Sequence, residues 1–94
     1  MSRDTTDSQL GLYTNQFTEV FSELLGKHRV TCYQICRVTG IDQAYLSRLR
    51  SGERGNPSVE VVMRISLALM RCSENINIHD IERLFRSVGR SIGV

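Results

Sequence analysis

Two short capped segments meet at one glycine, and this juncture restricts the chain more than any other feature. Thr31-Cys32-Tyr33-Gln34 has the Ser/Thr-x-x-Glu/Gln form of a capping box. The Thr31 hydroxyl can accept from the Gln34 amide, and the Gln34 side chain can reach back to the amide of Thr31. Val30 before the cap and Ile35 at the fourth helical position can close a hydrophobic staple. Gly40 then offers a left-handed residue to stop a helix of about residues 32–39. A second cap follows at once. Asp42 is a good N-cap, and Ile41 and Leu46 can form a second staple. Leu46 and Leu49 carry the apolar face to Ser51-Gly52, so this helix spans about residues 42–50.

Two short helices joined by a tight glycine-containing turn make a helix-turn-helix. Three more helices are expected around it. Phe17, Val20, Phe21, Leu24 and Leu25 recur at helical spacing over about residues 15–27, with Thr14 or Asn15 as the cap and Gly26 weakening the end. Glu23 to Lys27 is the favourable i,i+4 order. A loop from Ser51 to Pro57 separates the motif from a helix over about 59–70, capped by Ser58. Its inner stripe reads as Val59, Val62, Ile65, Ser66 and Leu69, and Val61, Met63, Leu67 and Met70 make it apolar nearly all round. That predicts burial on more than one side. Asn77 caps a last helix over about 78–88, with Ile81, Leu84, Phe85 and Val88 as its stripe and Arg83, Arg86 and Arg90 off it. No strand signal, repeat or low-complexity segment is present. The expected fold is all-α, a five-helix bundle in a single domain over 13–90, with a flexible arm at 1–12 and a frayed tail at 91–94.

The 94 residues leave room for one core and no separate domain to sense a small-molecule effector. No apolar run approaches the twenty or so residues of a membrane span, and residues 1–11 lack the basic and apolar parts of a signal peptide. A cytoplasmic protein is expected. The three cysteines are an odd number, which argues against a disulfide framework. His28, Cys32 and Cys36 are four apart, but a cap falls between the first two and no fourth ligand is evident. They read as ordinary small or polar residues, with no metal and no cofactor implied. Neither His28 nor His79 has a placed partner in the sequence, and no phosphate loop or paired carboxylates occur, so an enzyme is not expected. The net charge is only +2, yet Lys27 to Arg54 holds six basic residues (Lys27, Arg29, Arg37, Arg48, Arg50, Arg54) against Asp42 and Glu53. The positive charge therefore sits on the motif, which suits a polyanion.

The stretch VTCYQICRVTGIDQAYLSRLRSGERGNPSVEVVMRISLAL resembles the phage-repressor and Cro-like, or XRE, helix-turn-helix family. The resemblance runs from about Phe17 to Leu69, and its most specific pieces are TGIDQAYLSRLRSG and the following NPS. Five helices in a chain of this size resemble the DNA-binding domains of phage repressors. The resemblance implies that the second motif helix enters the major groove of double-stranded DNA. With Leu46 and Leu49 facing inward, Gln43, Ala44, Ser47 and Arg48 are left to meet base edges. Gln43 suits adenine, Arg48 guanine, and Ala44 a thymine methyl. It also implies backbone contacts at the first turn of the preceding helix, where Thr31, Cys32 and Tyr33 stand; Arg54 and Asn56 on the following loop are the next candidates, followed by Arg50. Arg37 reads as a surface residue.

Two positions depart from the family pattern. The family often has glutamine where Cys32 stands, and often pairs an arginine on the first helix with a glutamate where this chain has Leu25 and Arg50. The expected function is sequence-specific regulation of transcription by a repressor that binds a palindromic operator as a homodimer. Leu67, Met70, Ile81, Leu84, Phe85 and Val88 are the residues expected at the dimer interface. The competing reading is a helix-turn-helix protein-interaction or antitoxin-type module with weak or lost DNA binding.

Overall fold

The computed structural model describes residues 15–89, so the arm expected at 1–12 and the tail at 91–94 lie outside the described residues. Five α-helices make up the fold: α1 (Gln16–His28), α2 (Cys32–Thr39), α3 (Gln43–Ser51), α4 (Val59–Cys72) and α5 (Ile78–Gly89). The described residues contain no strand. The helices close into a ring. α1 packs on α5 and α3, α3 also packs on α2, α2 on α4, and α4 on α5.

The caps explain where the helices begin. Asn15 Oδ1 accepts from the Thr18 amide at 2.9 Å, so Asn15 caps α1. The capping box of α2 is complete: Thr31 Oγ1 accepts from the Gln34 amide at 3.1 Å, and Gln34 Oε1 accepts from the Thr31 amide at 2.9 Å. Asp42 Oδ2 accepts from the Tyr45 amide at 3.1 Å, and Ser58 Oγ from the Val61 amide at 3.2 Å. At α5, Asn77 and Asp80 exchange side chain-to-amide hydrogen bonds of 3.0 and 3.3 Å, a reciprocal box that uses aspartate in place of glutamate.

The ends are equally local. Gly40 and Gly52 adopt φ of 80° and 93° after α2 and α3. A Cβ at Gly40 would meet nothing within 4 Å, so the backbone conformation rather than crowding calls for glycine there. α1 runs past Gly26 and stops only at Arg29, a non-glycine residue at φ 57°. Glycine in a helix interior is tolerated when the helix packs well, and Phe17, Phe21, Leu24 and Leu25 on α1 are all buried.

Those four join Ile35, Leu46, Leu49, Val62, Ile65, Leu69 and Leu84 as the largest fully buried side chains. The Phe17 and Phe21 rings stack with centroids 5.3 Å apart. α4 corrects the sequence expectation. Val59 is exposed, and Ala68 takes a place in the core instead. Met63, Leu67 and Met70 are also exposed, so the outer side of α4 is not covered within the monomer. α5 corrects it in the opposite sense. Ile81, Leu84 and Val88, expected at a dimer interface, are buried in the monomer's own core, and Phe85 is half-buried against it. A ring of five helices needs α5 to close it, and its apolar stripe is consumed there.

Long-range polar ties brace the ring. His28 Nδ1 lies 3.2 Å from Ser73 Oγ, and its Nε2 lies 3.4 Å from Asp80 Oδ2, within ion-pair range but without hydrogen-bond alignment. Sequence reading left His28 without partners; the fold supplies both. The imidazole and carboxylate are buried, so this Ser–His–Asp array joins α1, α5 and the loop between α4 and α5 rather than presenting a nucleophile.

Arg83 meets Glu23 through two hydrogen bonds, of 2.7 and 3.0 Å, tying α5 to α1. These hydrogen bonds hold the Glu23 carboxyl below the ordinary glutamate range. A depressed carboxylate stabilises the fold at pH values above its unfolded titration, and that contribution is lost as pH falls through the folded one. Glu23→Gln is therefore expected to melt slightly below the parent at neutral pH, with the gap closing below the ordinary glutamate range. Thermal melts of both proteins across that window check it, and a gap that is constant with pH contradicts it.

Candidate nucleic-acid interface

α3 turns one side to the core and the other to solvent. Leu46 and Leu49 are completely buried, three residues apart. Gln43, Ala44, Ser47 and Arg48 are all exposed. Tyr45 is half-buried beside the core, with the Arg54 guanidinium 6.0 Å from its ring centre. The outward residues expected to read bases therefore share the open side of one helix. They do so because period 3.6 puts 43, 44, 47 and 48 opposite 46 and 49.

The turn before α3 holds this orientation. Thr39 Oγ1 donates to the Ile35 carbonyl at 2.8 Å and accepts from the Ile41 amide at 3.0 Å. Gly40 donates its amide to Cys36 at 2.8 Å. The turn's polar groups are met locally, and Ile41 packs against the core.

An open cleft of about 470 Å³ lies where the start of α2 faces α3. Ser22, Thr31, Cys32, Tyr33, Gln43, Ser47, Arg50 and Ser51 line it. It brings two of the expected base-reading residues together with four of the expected backbone-contact residues. As the first residue of α2, Cys32 has an amide without an intrahelical partner, and this end of the helix carries partial positive charge. The Cys32 side chain, in contrast, is buried at 7 % exposure. Its thiol cannot replace the family's glutamine at a phosphate; the residue has only its backbone to offer. Tyr33 is exposed, its hydroxyl accepting from Arg37 Nη1 at 3.0 Å with the guanidinium 5.8 Å from the ring centre. Arg37 thus braces Tyr33 at the surface.

The other expected residues lie outside the cleft. Arg48 is exposed, with its Nε 3.7 Å from Glu53 Oε1. A surface pair of this kind is weak and does not tie Arg48 down. Arg54 and Asn56 are exposed on the loop after α3, which is closed by the Arg54 amide donating to the Arg48 carbonyl at 3.1 Å. Asn56 sits at φ 50°, a left-handed position asparagine tolerates. The loop passes close to α1, since a Cβ on Gly55 would fall 2.6 Å from Asn15 Nδ2.

Sequence reading missed Ser22, which lines the cleft from α1, and Thr18, which is buried one turn earlier on the same helix. Both sit next to the α1 apolar stripe, where a lone hydroxyl residue gives no distinguishing pattern. Leu25, at the family's arginine position, is buried in the core, and Arg50, at its glutamate position, is exposed and lines the cleft. α1 and α3 are joined instead by hydroxyl-to-carbonyl hydrogen bonds from Thr18 and Ser22.

The model of the Cro/C1-type helix-turn-helix DNA-binding domain matches residues 21–84. The chain belongs to the Cro/C1-type helix-turn-helix family. The match takes in α2, α3 and α4 whole and reaches well into α5, further than the motif alone, so the closing helix is part of the family domain. Comparison with curated proteins and with solved structures gave no significant match in either. As a Cro/C1-type domain the chain is a DNA-binding regulator of transcription. No helix among its described residues is long and apolar enough to cross a membrane.

Proposed function

We propose that this Cro/C1-type protein is a sequence-specific repressor that binds a palindromic operator as a homodimer, with α3 in the major groove. The observation that carries the reading is the exposed row Gln43, Ala44, Ser47 and Arg48 on a helix whose Leu46 and Leu49 are wholly buried. Gln43 has the geometry for adenine, Arg48 for guanine and Ala44 for a thymine methyl, while Ser47 serves several edges. The first turn of α2, with Arg50, Arg54 and Asn56, takes the phosphates and sets the register.

Pairing is proposed through α4 rather than α5. Val59, Met63, Leu67 and Met70 are exposed at i, i+4, i+8 and i+11, a single stripe along α4. Leu67 and Met70 keep their proposed interface role, and Met63 and Val59 extend it. The same stripe is what an interaction module would use, so the test must separate the two.

Selection from a random DNA library at moderate salt is expected to enrich an inverted repeat with half-sites about 10 base pairs apart. Leu67→Glu with Met70→Glu is expected to sediment as a monomer and to bind that repeat at least tenfold more weakly. Failure to bind any duplex at low salt would replace this reading with the interaction module. An asymmetric enriched sequence would remove the homodimer.

A further inference from the structure

The last four carbonyls of a helix have no intrahelical amide to pair with. In α3 three of them are met from separate sources. The Arg48 carbonyl accepts from the Gly52 and Arg54 amides at 3.0 and 3.1 Å. The Leu49 carbonyl accepts from Thr18 Oγ1 at 2.9 Å, in a buried bond. The Arg50 carbonyl accepts from Ser22 Oγ, also at 2.9 Å. Thr18 and Ser22 are four apart on α1 and so stand on one face of it. The carbonyls they take belong to consecutive residues of α3.

Hydroxyl residues inside helices commonly bond to a carbonyl of their own preceding turn. Ser66 does this, donating to the Val62 carbonyl at 2.8 Å. Thr18 and Ser22 instead reach across to another helix, and Thr18 does so at 3 % exposure. The apolar packing of Leu46 and Leu49 holds α3 against the core but is non-directional. Hydrogen bonds are directional. Two of them, on carbonyls about 100° apart around the axis, resist both rotation and sliding of the helix. A rotation of about 15° would move an atom about 6 Å from the axis by about 1.5 Å. Contacts to base edges tolerate a few tenths of an ångström.

We infer that Thr18 and Ser22 are positioning residues for base reading: their hydroxyls clamp the C-terminal end of α3 and set the angle at which Gln43, Ser47 and Arg48 meet the groove. This rests on the proposed reading of α3. The clamp acts on discrimination between sequences. Phosphate contacts from the first turn of α2 do not depend on the rotation of α3, and those from Arg50 and Arg54 act through charge, which is less sensitive to angle than a base-edge contact, so binding to unrelated duplex is largely retained.

The test uses the full chain and the ratio of its affinities for the selected sequence and an unrelated duplex, measured at one salt concentration. Thr18→Val keeps the volume and removes the hydroxyl; Thr18→Ser keeps the hydroxyl. Thr18→Val with Ser22→Ala is expected to lower the ratio about tenfold, with unrelated-duplex affinity within about twofold of the parent. Thr18→Ser is expected to keep the parental ratio. Should the valine variant not fold, Ser22→Ala alone, at a bond nearer the surface, is expected to lower the ratio about threefold.

An unchanged ratio in the folded variants overturns the clamp. So does a parallel fall in both affinities, or a loss in Thr18→Ser equal to that in Thr18→Val. Gln43→Ala with Arg48→Ala serves as the control. A ratio that survives this control overturns the reading of α3 and the clamp's role with it. A ratio that falls there but holds in the hydroxyl variants overturns the clamp alone.

Discussion

Gln43→Ala combined with Arg48→Ala is expected to abolish most of the sequence preference while leaving the fold intact. Both side chains are exposed on α3, and neither belongs to the core. Their removal should therefore change stability by less than about 0.5 kcal/mol. A bidentate contact to a base edge contributes about 1–3 kcal/mol of discrimination. Two on different base pairs contribute roughly 2–6 kcal/mol, or about 30-fold to 10⁴-fold in relative affinity. Binding to unrelated duplex should weaken only by the loss of one charge, because Arg50, Arg54 and the first turn of α2 remain. Competition binding with selected and unrelated duplexes gives the ratio directly. A parental ratio in the double variant would remove both residues from base reading.

Leu46→Ala should produce a large loss of stability on the motif. Leu46 is at 0 % exposure and fixes the side of α3 that faces inward. Truncating a buried leucine costs about 2–5 kcal/mol, from lost transfer energy and the cavity left behind. A domain of this size has about 5–14 kcal/mol in total, so the variant could lose half or more. Leu46→Met preserves most of the volume and should cost less than about 1.5 kcal/mol. Urea unfolding is the measurement, with a lower midpoint and unchanged slope for the alanine variant. A loss below about 1 kcal/mol would mean that α3 does not seat on the core through this residue. Because the packing energy of α3 lies under Leu46 and Leu49, the outward residues can vary with little effect on the fold. That separation lets one scaffold carry different reading surfaces.

The short-range features were readable in the chain. Thr31 and Gln34, or Asp42 and Tyr45, lie three apart, and each cap is completed within that span. Gly40 and Gly52 end their helices through their own backbone conformation. The outward row on α3 followed from Leu46 and Leu49, because a helix with one apolar side leaves the other to solvent. The burial of the Cys32 side chain was not legible in the chain: its place in the first turn of α2 marked it only as a backbone-contact residue.

What periodicity left open was which apolar residue meets which neighbour. α4 is apolar nearly all round, and only the closed ring leaves Met63, Leu67 and Met70 outside while Ala68 goes in. α5 is amphipathic whether it completes a monomer or pairs with a copy, and the ring consumes Ile81, Leu84 and Val88.

The polar ties carry no local trace at all. Thr18 reaches Leu49 across 31 positions, and Arg83 reaches Glu23 across 60. The chain's local chemistry therefore set the helices, their caps, the turn at Gly40 and the exposed row on α3. The seating of that row and the uncovered side of α4 were settled by tertiary packing. Caps and helical periods act over three or four residues. A hydrogen bond between helices, or a side left uncovered, depends on how the whole ring closes.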